Sequence, residues 1–130
     1  LVAKYGELPA RLFGQMVPAL DKINMIRALE TGLYSKRLGI AGTVDCVAEY
    51  EGRLSIIDFK TARRKWDEIN ENYLVQATFY SIAWEERTKE KVDQIVILTT
   101  TETGELYVHK DDPSKYIKRL DEMIADAKTN

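Results

Sequence analysis

The chain has 130 residues, 45% hydrophobic and 31% charged, with a formal net charge of −2, which suits one globular domain over residues 1–130 and leaves no room for a second. Its single cysteine, Cys46, excludes an intramolecular disulfide, a thiolate zinc cluster and an iron–sulfur cluster. No apolar run reaches the roughly 18–20 residues that cross a bilayer, and no signal peptide opens the chain, so the expectation is a soluble protein without a membrane partner.

The expected compartment is a cytoplasm, bacterial or of a phage-infected host, ahead of a mitochondrial matrix. The start at Leu1, without an initiator methionine, implies a chain shortened at its N-terminus. The slight negative charge argues against coating nucleic acid by bulk electrostatics. A site that gathers carboxylates around a cation stays open, because the cation reverses the local potential.

In chain order, Leu1 to Leu20 has loosely helical apolar spacing interrupted by Gly6, Pro9, Gly14 and Pro18, which predicts short helical pieces. Three extended runs follow, Met25–Tyr34, Ile40–Tyr50 and Arg53–Lys60, forming an antiparallel meander. Lys36 to Gly39 make the first turn, and Glu51-Gly52 the second, a two-residue hairpin loop. Asp67 is an N-cap candidate for a helix from Glu68 to Arg87, with an apolar stripe at Ile69, Tyr73, Ala77, Tyr80, Ala83 and Trp84. Val92–Thr100 contains the run Ile95-Val96-Ile97-Leu98 of a buried strand, and Glu105–His109 is a short partner. Asp111-Asp112-Pro113 then opens a last helix through Tyr116, Leu120, Met123, Ile124 and Ala127. The order is αβββαββα, an α/β (α+β) arrangement.

A loop of Glu51 and Gly52 pairs Tyr50 with Arg53, and counting back along both strands sets Asp45 opposite Asp58. Residues directly opposite share a face with Cβ atoms about 4.5–5.5 Å apart, so both carboxylates can share one cation. Lys60, two residues on, faces the same way. Mg²⁺ or Mn²⁺ held by Asp45, Asp58 and a nearby carbonyl such as that of Phe59 relieves the repulsion between the acids, and Lys60 is placed to assist an attacking water or a charged phosphate. The first turn aligns Glu30 with Asp45, making it a candidate third acid. An Asp-x-Lys on a strand is more often a solvated face. Here the apolar Ile56-Ile57 before it and Phe59 within it put the charges at the end of a buried strand, where charges need partners.

The stretches Gly39-Ile-Ala-Gly-Thr-Val-Asp45, Ile57-Asp-Phe-Lys-Thr61 and Gln76-Ala-Thr-Phe-Tyr80 together resemble the RecB-like exonuclease branch of the PD-(D/E)XK nuclease superfamily, especially its compact phage-type and mitochondrial-type members. Their pattern is G-x-x-D, D-x-K and Q-x-x-x-Y. The resemblance implies a restriction-endonuclease-like core with a central mixed sheet, and a Mg²⁺- or Mn²⁺-dependent deoxyribonuclease of DNA repair or recombination. It implies exonuclease action on a DNA substrate with a free end, leaving a 5′-phosphate. Asp45 and Asp58 would be metal ligands, Lys60 the catalytic lysine, and Gln76 with Tyr80 a pair that orients substrate and catalytic groups. Many members add an upstream histidine or acid, whereas the only histidine here, His109, lies near the other end. That departure keeps two alternatives open, a noncatalytic nucleic-acid-binding domain on the same fold and an endonuclease.

Thr61, Arg63, Arg64 and Lys65 follow the catalytic strand and, with Trp66 and Tyr73, are candidates to hold the phosphate backbone and a base. A solvated loop is the competing reading for the basic run, and a core aromatic for Tyr73. His109 reads as an exposed strand-end residue and Cys46 as an inert buried thiol.

Overall fold

The computed structural model describes residues 10–62 and 71–129. Its elements are α1 (Ala10–Leu20), β1 (Ile23–Ser35), β2 (Ile40–Tyr50), β3 (Arg53–Ala62), α2 (Glu71–Thr88), β4 (Gln94–Thr101), β5 (Leu106–Asp111), a 3₁₀ turn (Pro113–Tyr116) and α3 (Ile117–Thr129). The order is the αβββαββα expected. Asp67, Glu68 and Ile69, the expected start of the second helix, lie outside the described residues.

Two tight turns build the meander. Glu51 and Gly52 both take positive φ, 51° and 81°, the geometry a two-residue hairpin needs to match strand twist. A left-handed conformation is unfavourable for glutamate. It is offset by the Glu51 N–H, which donates to the Lys22 carbonyl at 3.1 Å, and by the Glu51 carboxylate, which pairs with Lys110. At the first turn Gly39 (φ 70°) donates to the Ser35 carbonyl at 2.8 Å, and Tyr34 pairs with Ala41, as the spacing predicts.

The sheet runs β1-β2-β3-β4-β5. Neighbours are antiparallel except β3 and β4, which are parallel because α2 carries the chain from one to the other. The expected apolar run Ile95–Leu98 lies in β4 and is wholly buried, as befits a strand covered on both faces.

On one face, Val44, Val47, Leu54, Ile56, Ile95 and Ile97 pack beneath α2 with Leu120 of α3. On the other, Cys46, Ala48, Tyr50, Ile57, Phe59, Val96 and Leu98 pack with Ala19 of α1. Helix α2 is buried well beyond the stripe read from sequence, with Leu74, Val75, Thr78, Phe79 and Ser81 also covered. Its hydroxyls are satisfied locally, Thr78 Oγ1 donating to the Leu74 carbonyl at 2.8 Å and Ser81 Oγ to Thr78 at 2.7 Å.

The N-terminal expectation needs correcting. Helix α1 continues through Gly14 and Pro18. Pro18 sits in the last turn and removes one intrahelical bond, while tertiary contacts hold the segment. Gln15 Nε2 donates to the carbonyls of Thr101 and Glu105 at 3.1 and 3.3 Å, and Ala19 is buried on the sheet.

Candidate active site

The ladder between β2 and β3 runs from Tyr50–Arg53 to Cys46–Ile57 and stops. Asp45 and Asp58 occupy the next position on each strand, where the strands part. Side-chain alternation along β2 breaks at the same place. Val44 and Val47 both enter the core under α2, while Cys46 enters the opposite core. The Asp45 carboxylate fills the gap, its Oδ2 accepting from the Phe59 N–H at 3.1 Å. Asp45 therefore takes a backbone donor that a continued ladder would have used.

Asp58 lies against Asp45 with Lys60 Nζ 3.1 Å from its Oδ2, and both side chains are largely shielded, at 18% and 28% exposure. Burial, then hydrogen bonding and repulsion from Asp45, raises the Asp58 carboxyl to about 7 despite the opposing lysine. Desolvation and a like charge together outweigh one ammonium. Lys60 Nζ also stands 4.1 Å from the centroid of the Tyr73 ring, a cation–π contact that fixes its position.

Helix α2 supplies the remaining groups. Gln76 and Tyr80, one turn apart, share a helix face, and Gln76 is near enough to the Tyr80 hydroxyl to oppose the rise in its pKa. Burial, with the charges of Asp58 and Asp45, raises the Tyr80 hydroxyl above the ordinary tyrosine value, so it stays protonated. Gly42 permits this approach: a Cβ there would lie 3.2 Å from both the Tyr80 ring and its hydroxyl. The glycine of G-x-x-D thus lets the tyrosine of Q-x-x-x-Y reach the acids, a link between motifs that one-dimensional spacing does not reveal.

The structure thus brings together Asp45, Asp58, Lys60, Gln76, Tyr80 and Tyr73, with the Phe59 backbone. Three expectations fall outside this group. Glu30 lies across from Asp45, bracketed by the pairs Leu29–Cys46 and Thr31–Val44. It takes a left-handed φ of 43° and is exposed. No group of three His, Cys, Asp or Glu side chains among the described residues is placed to hold an ion, so Glu30 does not complete a triad. Thr61 follows Lys60 by one residue and so points to the opposite face of the sheet, exposed. Arg63, Arg64 and Lys65, with Trp66, lie outside the described residues.

The residues left out of the site stay out. His109, on β5, pairs with Ile97 of β4 and lies 3.3 Å from Asp111. Burial pushes the Cys46 thiol up to about 12, so it carries no thiolate at neutral pH.

The donor set fits a divalent cation. Two carboxylates meet with the Lys60 ammonium on one of them, and a hard, oxygen-seeking ion can take the place of the proton that burial and repulsion favour on Asp58. Such a site, with a lysine beside it and a glutamine–tyrosine pair on the covering helix, is suited to hydrolysing an anionic ester.

The sequence model of the PD-(D/E)XK nuclease superfamily matches residues 5–129, and the chain belongs to that superfamily, whose nucleases generally use divalent metals. Among curated relatives, it is 42% identical over 45 residues to mitochondrial genome maintenance exonuclease 1 of Homo sapiens, covering 35% of this chain and 13% of the relative. To the Mus musculus protein of that name it is 39% identical over 54 residues, covering 42% and 16%. The matched segments thus span less than a fifth of either relative. A crystal structure of a candidate exonuclease from Eubacterium rectale superposes with TM-score 0.57 at 10% identity, over 88% of this chain and 48% of that one, and speaks to the fold.

Proposed function

We propose that this chain is the catalytic core of a metal-dependent deoxyribonuclease that hydrolyses phosphodiester bonds from DNA ends. The observation that carries the proposal is the meeting of Asp45 and Asp58, with Lys60 on Asp58, where β2 and β3 part. A Mg²⁺ or Mn²⁺ ion held by Asp45, Asp58 and the Phe59 carbonyl would polarise the scissile phosphate and make a bound water acidic. The protein supplies the rest. The Phe59 N–H fixes one carboxylate, and the Tyr73 ring holds the Lys60 ammonium. From that position Lys60 orients the attacking water or stabilises charge growing on the phosphate. Gln76 and Tyr80 are the polar groups of the covering helix that face the substrate, and a protonated Tyr80 serves as a donor.

Cleavage of end-labelled linear and covalently closed circular DNA in Mg²⁺, Mn²⁺ or EDTA tests this, with Asp58→Ala and Lys60→Ala alongside. Metal-dependent loss of linear DNA alone, abolished by both substitutions, is expected. Cutting of closed circles would replace the exonuclease reading with an endonuclease. The absence of Glu30 from the acids favours one other outcome, a binding domain that has lost catalysis. DNA and RNA left intact at high protein concentration, yet bound, would establish it.

A further inference from the structure

Beside the site, the turn between β1 and β2 and the C-terminal end of α2 enclose a groove of about 770 Å³. Tyr34, Lys36, Arg87 and Lys89 line it. Glu86 is the acid in this wall, and its carboxylate already accepts from Ser35 Oγ and the Lys36 backbone N–H. Arg87 Nη1 donates to the Gly32 carbonyl at 3.4 Å, which steadies the guanidinium at the groove's edge. The ammonium groups of Lys36 and Lys89 enter no ion pair among the described residues. Cationic groups thus collect at one place on a chain whose net charge is −2.

Two further observations give this patch a direction and a ligand. Ala41 and Gly42 line the groove, and the same two residues line a neighbouring apolar groove of about 750 Å³ that contains Tyr73, Gln76 and Tyr80. The two grooves thus adjoin at Ala41 and Gly42, and the second is bordered by Tyr73, Gln76 and Tyr80 of the site. Tyr34, at its wall, is 57% exposed, a large aromatic face turned to solvent beside three cations.

We propose that this groove binds an unpaired nucleic-acid strand next to the scissile phosphate, with Lys36, Arg87 and Lys89 on the backbone phosphates and Tyr34 stacked on a base. Phosphates match the charge, and an aromatic face gains most from a base, whose own flat face is available only when unpaired. An acidic peptide would satisfy the cations and leave Tyr34 without a stacking partner. The position of the groove relative to the scissile bond rests on the nuclease reading, whereas strand binding does not.

The test is fluorescence anisotropy in EDTA, over a range of salt, with a labelled oligothymidylate and a duplex of equal length. The proteins are the full chain, Lys36→Ala/Arg87→Ala/Lys89→Ala, Tyr34→Ala and Tyr34→Phe, with melting temperatures confirming that each folds. The single strand should bind more tightly than the duplex. The triple variant should weaken it at least tenfold and lower the slope of log affinity against log salt by about 2, near 0.7 per lost phosphate contact. Tyr34→Ala should weaken binding about tenfold and Tyr34→Phe hardly at all. Arginine at positions 36 and 89 (Lys36→Arg/Lys89→Arg) should retain the wild-type slope.

Absent binding by the unaltered chain, preference for duplex, or an unchanged slope in the triple variant would each overturn the proposal. So would displacement of the oligonucleotide by polyglutamate at matched charge and salt, which would assign the groove to a protein partner. Failure of the nuclease reading looks different, with strand binding sensitive to these substitutions and no cleavage when Mg²⁺ is added.

Discussion

Asp58 and Asp111 are both largely shielded aspartates on strands of one sheet, at 18% and 9% side-chain exposure, yet their proton affinities move in opposite directions. At Asp111 burial alone would raise the pKa, but donors from Tyr116, Lys115, the Asp112 N–H and His109 win and hold it well below the usual carboxylate range. Asp58 is buried against another carboxylate with a single lysine in opposition, and is raised to about 7. The Asp111 cluster joins β5 to the 3₁₀ turn that leads into α3. A carboxylate that holds structure is surrounded by donors, whereas one set against a second acid leaves a place for a cation.

The sharpest way to break the comparison is to neutralise Asp58. Asp58→Asn keeps the shape and removes one ligand charge. Cleavage should fall by about a thousandfold or more, on the order of 4 kcal/mol of transition-state stabilisation. The measurement is initial rate on end-labelled DNA at saturating Mg²⁺. Retention of more than a tenth of the rate would remove Asp58 from the chemistry.

The same substitution should have the opposite effect on stability. Because the folded Asp58 carboxyl binds its proton more tightly than an unfolded one, its contribution is fully present below the unfolded pKa near 3.9 and is lost as pH rises through about 7. Denaturation midpoints in EDTA should therefore fall between about pH 4 and pH 7, by an amount on the order of a few kcal/mol. Asp58→Asn should flatten that fall, and Mg²⁺ should offset it in the unaltered protein. A pH-independent midpoint over this range would mean that burial and Asp45 do not raise the folded Asp58 carboxyl.

Asp111 provides the counterpart. Its folded pKa is depressed, so its contribution is present above the unfolded value near 3.9 and is lost as pH falls toward the folded one. Asp111→Asn, which leaves cationic and hydroxyl donors facing an amide, should cost about 2 kcal/mol, read as a lower urea midpoint at pH 7. Cleavage per folded molecule should be unchanged. A loss of activity without a loss of stability would reverse the roles assigned to the two aspartates.

The Asp58 side of this contrast was legible in the sequence, whereas Asp111 read only as part of a helix start and proves to be the last residue of β5. The Glu51-Gly52 turn sets the register, and the two-residue period of strands then brings Asp45 and Asp58 to the same level. Periodicity does not show that the ladder ends one pair earlier, because that depends on how the strands part under α2. Glu30 illustrates the limit, its register correct and its backbone left-handed, so that alignment did not become convergence. Lys36 and Arg87 lie about fifty positions apart in the chain and meet only because α2 folds back over β1, so no spacing rule links them. Pro18 read as a helix breaker because sequence rules weigh the lost backbone bond and not the tertiary contacts of Gln15 and Ala19.

The smallest predicted effect tests how the two motifs are joined. In Gly42→Ala the new methyl would lie 3.2 Å from both the ring and the hydroxyl of Tyr80 and 3.4 Å from Phe79. Gly42 has no positive φ, so the backbone tolerates alanine and the conflict lies with the side chains. The rings would shift by a few tenths of an ångström, costing about 1 kcal/mol in stability. The catalytic effect should exceed the structural one, because Tyr80 and its partner Gln76 would be displaced from the acids. We expect kcat to fall about tenfold with little change in KM. Comparison with Tyr80→Phe identifies the cause. If the phenylalanine variant shows the same loss and Gly42→Ala adds nothing to it, the glycine acts through the tyrosine hydroxyl. Additive losses would mean instead that Gly42 shapes the groove along which the strand passes.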